Sequence, residues 1–109
     1  MIPAPGVHAA DRWATLSVTE QMGNLGSEVQ RAIRAHEAGR RDRFEPALAR
    51  ALELFDLTAT DPRWRAHRRR EILRAREEFC RLFFDASVAP TSAAGLNRYF
   101  LAFATAARR

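Results

Sequence analysis

Between Arg63 and Arg76 the chain carries seven arginines and one acid, Glu71. The local charge is +6 in a protein whose net charge is +5. Planar guanidinium forks, closely spaced on a rigid element, are what phosphate recognition needs. If the segment is helical, Arg63, Arg70, Arg74 and Arg81 fall along one line and Arg65, Arg69 and Arg76 along a neighbouring one. Trp64 adds a ring that can stack on a base or an arginine. The candidate nucleic-acid-binding residues are therefore Arg63, Trp64, Arg65, Arg69, Arg70 and Arg74, for RNA or DNA. The competing expectation is a solvated face paired with Glu71, Glu77 and Glu78, for example Arg74 with Glu78. On that reading the arginines meet water or an acidic protein partner.

Other chemistry has thinner support. Arg31 and His36 are separated by four residues, which matches the loose Arg–His motif of the HEPN family of helical ribonucleases, where the two side chains meet near the attacked phosphate. Here the motif falls on the first helix rather than a late one, and the residue after Arg31 is the apolar Ala32. His36 also continues an apolar stripe. His8, His36, His67 and Cys80 show no metal-ligand spacing, and no glycine-rich phosphate loop follows a strand. We assign no catalytic residue, metal or cofactor. Cys80, among Phe79, Phe83 and Phe84, reads as a buried inert thiol.

The elements that must position these residues are helices. Phe44 to Leu57 has apolar positions at Phe44, Leu48, Leu52 and Phe55, with a second stripe at Ala47, Leu54 and Leu57. So little polar surface predicts a central helix buried on more than one side. Ahead of it, Ser17 and Glu20 form a capping box opening a helix whose stripe is Met22, Leu25, Val29, Ala32, Ile33 and His36. Gly23 and Gly26 share a face of that helix, suited to close approach of another helix or of a partner. Gly39 ends it, and Asp42 or Glu45 caps the next. Asp61-Pro62 is a start signal for a third helix over 62–84. Thr91 or Ser92 opens a fourth with the stripe Leu96, Tyr99, Phe100, Phe103 and Ala107. The expected fold is all-α, a small antiparallel four-helix bundle spanning 13–109 after a flexible leader, 1–12. Leu52, Phe55, Phe79, Phe100 and Phe103 are its expected core. Two apolar stripes on one helix, and adjacent Phe83 and Phe84, predict self-association.

All 18 basic residues are arginine, which a GC-rich genome also produces. A single cysteine excludes an internal disulfide and points to the cytoplasm. The N-terminus lacks the basic-then-apolar pattern of a secretory signal, and no run approaches the roughly 18 apolar residues that span a bilayer.

The segments TEQMGNLGSEVQRAIR, RALELFDLTATDPRW and EILRAREEFC resemble a group of short bacterial helical proteins without an established activity, over roughly residues 13–105. By size, basicity and helical class the chain is also similar to Avd, the pentameric bundle accessory to diversity-generating reverse transcriptases. The second likeness implies an oligomeric, non-enzymatic accessory that handles nucleic acid; neither supplies site residues.

Overall fold

The computed structural model describes residues 11–85 and 91–107. The leader over 1–10 with His8, the 86–90 loop and the tail arginines Arg108 and Arg109 lie outside these, as do the side chains of Thr91, Ala104, Ala106 and Ala107. A short helix α1 (residues 11–15) precedes four long ones: α2 (Val18–Glu37), α3 (Arg41–Ala59), α4 (Ala66–Phe84) and α5 (Thr91–Ala107). Asp11 and Arg12, expected in the leader, are already helical.

The four long helices form an all-α antiparallel bundle in which each packs on its neighbours in sequence and α5 closes back on α2. Contacts run in opposite senses along each pair. Trp13, just ahead of α2, meets Thr58 near the end of α3, and His36 meets Phe44. Phe44 meets Phe83, and Phe55 meets Phe79. Glu71 meets Tyr99 and Arg68 meets Phe103. None of the described helices is long and apolar enough to cross a membrane.

Two helix ends follow their sequence signals. Ser17 Oγ accepts from the Glu20 amide at 3.1 Å, and the Glu20 carboxylate accepts from the Ser17 amide at 3.0 Å. At the far end of α2, Gly39 takes φ 68°, the left-handed conformation open to glycine without a Cβ clash. The Arg40 amide then reaches the Ala35 carbonyl and the Gly39 amide reaches that of His36, closing a Schellman motif.

Three expectations need correction. The organising helix is α2, not α3. Met22, Leu25, Val29, Ala32 and Ile33 are all buried, whereas Phe44, Leu48, Leu52 and Leu57 are only half-buried. α3 buries the narrower set Ala51, Leu54, Phe55, Thr58 and Ala59, so each of its two stripes is covered only in part. Second, neither Asp42 nor Glu45 caps α3; Asp42 is taken by Arg40, the N-cap residue. Third, α4 starts at Ala66 rather than Pro62. The Asp61 carboxylate is drawn into a tertiary bond with Gln21, and the Asp61 carbonyl closes an isolated turn by accepting from the Trp64 amide at 3.2 Å.

Of the expected core residues, Phe55, Phe79 and Phe100 are buried, while Leu52 and Phe103 are half-buried. Gly26 faces α5 so closely that a Cβ there would collide with the Phe100 side chain. Phe79→Ala is expected to cost about 3–5 kcal/mol in urea unfolding. Phe103→Ala should cost clearly less. Gly26→Ala should destabilise by about 1–3 kcal/mol, since Phe100 has a packed wall behind it.

Candidate nucleic-acid interface

The corner between α3 and α4 is built on buried polar groups. Gln21, wholly buried on α2, donates through Nε2 to the Trp13 carbonyl at 2.7 Å and to Asp61 Oδ2 at 3.1 Å. Its Oε1 accepts from Trp64 Nε1 at 2.8 Å. Trp13 Nε1 donates to Thr58 Oγ1 at 2.8 Å, and the Thr58 hydroxyl passes on to the Leu54 carbonyl. No buried side-chain nitrogen or oxygen among the described residues lacks a partner. That matters because an unsatisfied buried polar group costs more than a made hydrogen bond returns.

Arg63 closes this cluster. Its Nε and Nη2 meet the Asp61 carboxylate at 3.0 and 2.7 Å, and Nη2 also donates to the Leu16 carbonyl at 2.8 Å. The guanidinium lies over the Trp64 ring, 4.5 Å from its centroid. These bonds hold the Asp61 carboxyl well below its ordinary 3.8, at about 2, with the Arg63 guanidinium the main cause and burial opposing it. Arg69 turns back to donate through Nε to the Ala59 carbonyl at 2.7 Å, satisfying the open end of α3. Arg76 meets Asp56 at 3.1 Å. Arg68 meets Glu71 at 3.1 Å and lies over Phe103. Glu71 also accepts from the half-buried Tyr99 hydroxyl, and burial together with that bond pushes the phenol up.

The six candidate residues thus divide. Arg63, Trp64 and Arg69 hold the corner together. Arg65, Arg70 and Arg74 are exposed, and among the described residues nothing pairs with them. Arg63 is not on the helical line drawn through Arg70 and Arg74, since it precedes α4. Arg70 and Arg74 lie about 40° apart around α4, on its outward side, with Arg65 at the N-cap. The expected Arg74–Glu78 pair does not form among the described residues. Leu73, between the two arginines, is 47% exposed.

The Arg31–His36 pair is not brought to one face. Five residues along a helix turn through about 140°. Arg31 is bonded to Glu28 at 2.8 Å, and His36 packs on the rings of Phe44 and Phe83. Cys80 is half-buried rather than buried. No group of acidic, His or Cys residues with metal-binding proximity occurs among the described residues. Sequence reading missed Gln21, Thr58 and Asp61 as buried polar residues. One signal was present for Gln21: it stands four before Leu25 and one before Met22, on the buried side of α2.

No family model, curated protein or solved structure matches this chain.

The pH dependence of stability follows from Asp61. A depressed carboxyl contributes stability that is fully present above its unfolded value near 3.8 and is lost as pH falls through about 2. Asp61→Asn is expected to lower the melting temperature at pH 7. It should also flatten the fall in melting temperature between those two pH values, read by circular dichroism.

Proposed function

We propose that this protein binds the nucleic-acid backbone, RNA or DNA, through Arg65, Arg70 and Arg74. It acts without enzymatic activity of its own, as a self-associating cytoplasmic bundle that serves a nucleic-acid enzyme as an accessory. The observation that supports this reading best is the set of three exposed guanidinia on one rigid helix and its N-cap, without a carboxylate partner among the described residues. A solvated face that folding had neutralised would pair them with Glu77 or Glu78. The partial positive charge at the start of α4 adds to the attraction near Arg65. Asn and Gln, suited to reading base edges, do not occur in residues 61–85. Phosphate contact positions a protein without specifying sequence, so weak sequence preference is expected. Arg63, Trp64 and Arg69 act here as positioning residues.

Leu73 favours a second reading, an acidic protein partner. A half-exposed leucine flanked by two arginines fits an amphipathic acidic helix better than it fits a phosphate backbone. The ribonuclease reading has less behind it, for the geometric reasons given above.

With three phosphate contacts, affinity in a mobility-shift titration should fall with salt at a log–log slope of about −2 to −3. Arg70→Gln with Arg74→Gln should weaken binding alike on all sequences and bring the slope toward about −1. Folding should hold, since both side chains are solvated. Unchanged affinity and slope would move the acidic-partner reading to first place. Self-association rests on the half-buried Leu48, Leu52 and Leu57 of α3 and on the exposed Phe84, away from the arginine face. Light scattering at high micromolar concentration should report more than one copy, and a monomer would remove that part of the reading.

A further inference from the structure

A cavity of about 660 Å³ opens in the cleft between α2 and α3, at the end of α3 away from the α3–α4 corner. Its size falls within the roughly 300–1,000 Å³ range of small-ligand sites. One wall is a single face of α2. Arg31, Arg34, Ala35 and Ala38 stand at i, i+3, i+4 and i+7, within about 100° of arc. The facing wall is a single face of α3, with Arg43, Pro46 and Ala47 at i, i+3 and i+4. Arg40 and Asp42 line the cavity where the turn at Gly39 joins the two helices.

Four arginines and one acid therefore look onto one hollow, a net +3. Folding has engaged only part of that charge. Asp42 is held by Arg40 at 3.2 and 3.3 Å, and Glu28 holds Arg31 at 2.8 Å. Arg34 and Arg43 are exposed and have no ion-pair partner among the described residues. One lies on each wall, so an anion with a single charged group answers one wall and leaves the other unmet. The small side chains Ala35, Ala38, Pro46 and Ala47 give the hollow its depth. They bring no polar side chain to compete with the arginines for an anion. What fits is a ligand with several negative charges in succession, each offering oxygens to a guanidinium fork.

We propose that this cavity binds a chain of linked phosphates, held between Arg34 on α2 and Arg43 on α3. Arg31 and Arg40, already oriented by their carboxylates, add charge at the rim. Ala38 keeps the hollow open. The site shares no residue with the α4 face and does not depend on it. The linked phosphates can be an inorganic polyphosphate or the tail of a nucleoside triphosphate, and the test separates these.

Calorimetric titration of the full chain at low salt, without magnesium, would use tripolyphosphate, orthophosphate, citrate and ATP. Tripolyphosphate should bind roughly tenfold or more tightly than orthophosphate or citrate, because it alone places successive phosphates on both walls. Arg34→Gln with Arg43→Gln should weaken tripolyphosphate by roughly tenfold or more. Ala38→Leu fills the hollow without changing any charge, and should weaken it by a similar roughly tenfold factor. A merely diffuse basic surface would not respond to that second change. All three side chains are exposed, and circular dichroism would check that each variant melts as the parent does. ATP binding as tightly as tripolyphosphate, or more so, would identify a nucleotide tail; weaker binding would identify an inorganic chain. Arg70→Gln with Arg74→Gln should leave tripolyphosphate affinity unchanged, and a loss there would assign the ion to α4 and overturn the proposal. It is also overturned by no saturable tripolyphosphate binding at millimolar concentration, by affinity unmoved in either cavity variant, or by citrate or orthophosphate binding as tightly.

Discussion

The bond from Trp64 to Gln21 is the constraint on which the rest of this bundle depends. Gln21 is wholly buried, so each of its amide atoms must find a partner, and each partner comes from a different part of the chain. Its nitrogen fixes the strand of backbone at Trp13 and the carboxylate of Asp61; its oxygen fixes Trp64. One side chain on α2 therefore sets where α3 must stop and where α4 can begin. Such a network is all-or-nothing. Fully satisfied it specifies one arrangement, and losing a member strands the others in a low-dielectric interior.

The same network explains how a run of seven arginines is apportioned. A stretch that looks uniform in one dimension is used for unlike tasks in three. Arg63 neutralises a buried carboxylate, Arg69 finishes the end of a helix, and Arg68 and Arg76 meet acids on the surface. What remains for a partner is smaller than the local charge of the segment implies, but better ordered. Arg70 and Arg74 ride on a helix whose start is pinned to α2, so their spacing is fixed before any ligand arrives, which lowers the ordering cost of binding.

Much of the fold was legible because its signals are local. The capping box needs only Ser17 and Glu20, and the left-handed cap needs only Gly39. The α2 stripe from Met22 to Ile33 and the Leu96 and Phe100 positions of α5 follow from spacing alone, whereas His36, at the end of the α2 stripe, is exposed. What could not be read depended on partners distant in sequence. Asp61-Pro62 has the grammar of a helix start, yet Gln21, forty residues earlier, claims the carboxylate and the helix begins at Ala66. Phe44 to Leu57 looked central because periodicity counts apolar residues but not neighbours; α3 occupies a corner and has fewer surfaces to bury them against. For the arginines the residue type and spacing were visible, but whether a guanidinium faces Asp61 or water is a tertiary fact. The ring cluster of His36, Phe44 and Phe83 was invisible for the same reason, since His36 and Phe83 lie far apart along the chain.

Both tryptophans of the chain, Trp13 and Trp64, belong to the Gln21 cluster, each bonded through its indole nitrogen. Intrinsic tryptophan emission is therefore a reporter of this single corner and is blind to the aromatic end of the bundle around Phe83. Where the two ends loosen at different temperatures, the emission and the far-ultraviolet helical signal part company, and the gap between the two curves measures how far the molecule departs from a single cooperative unit.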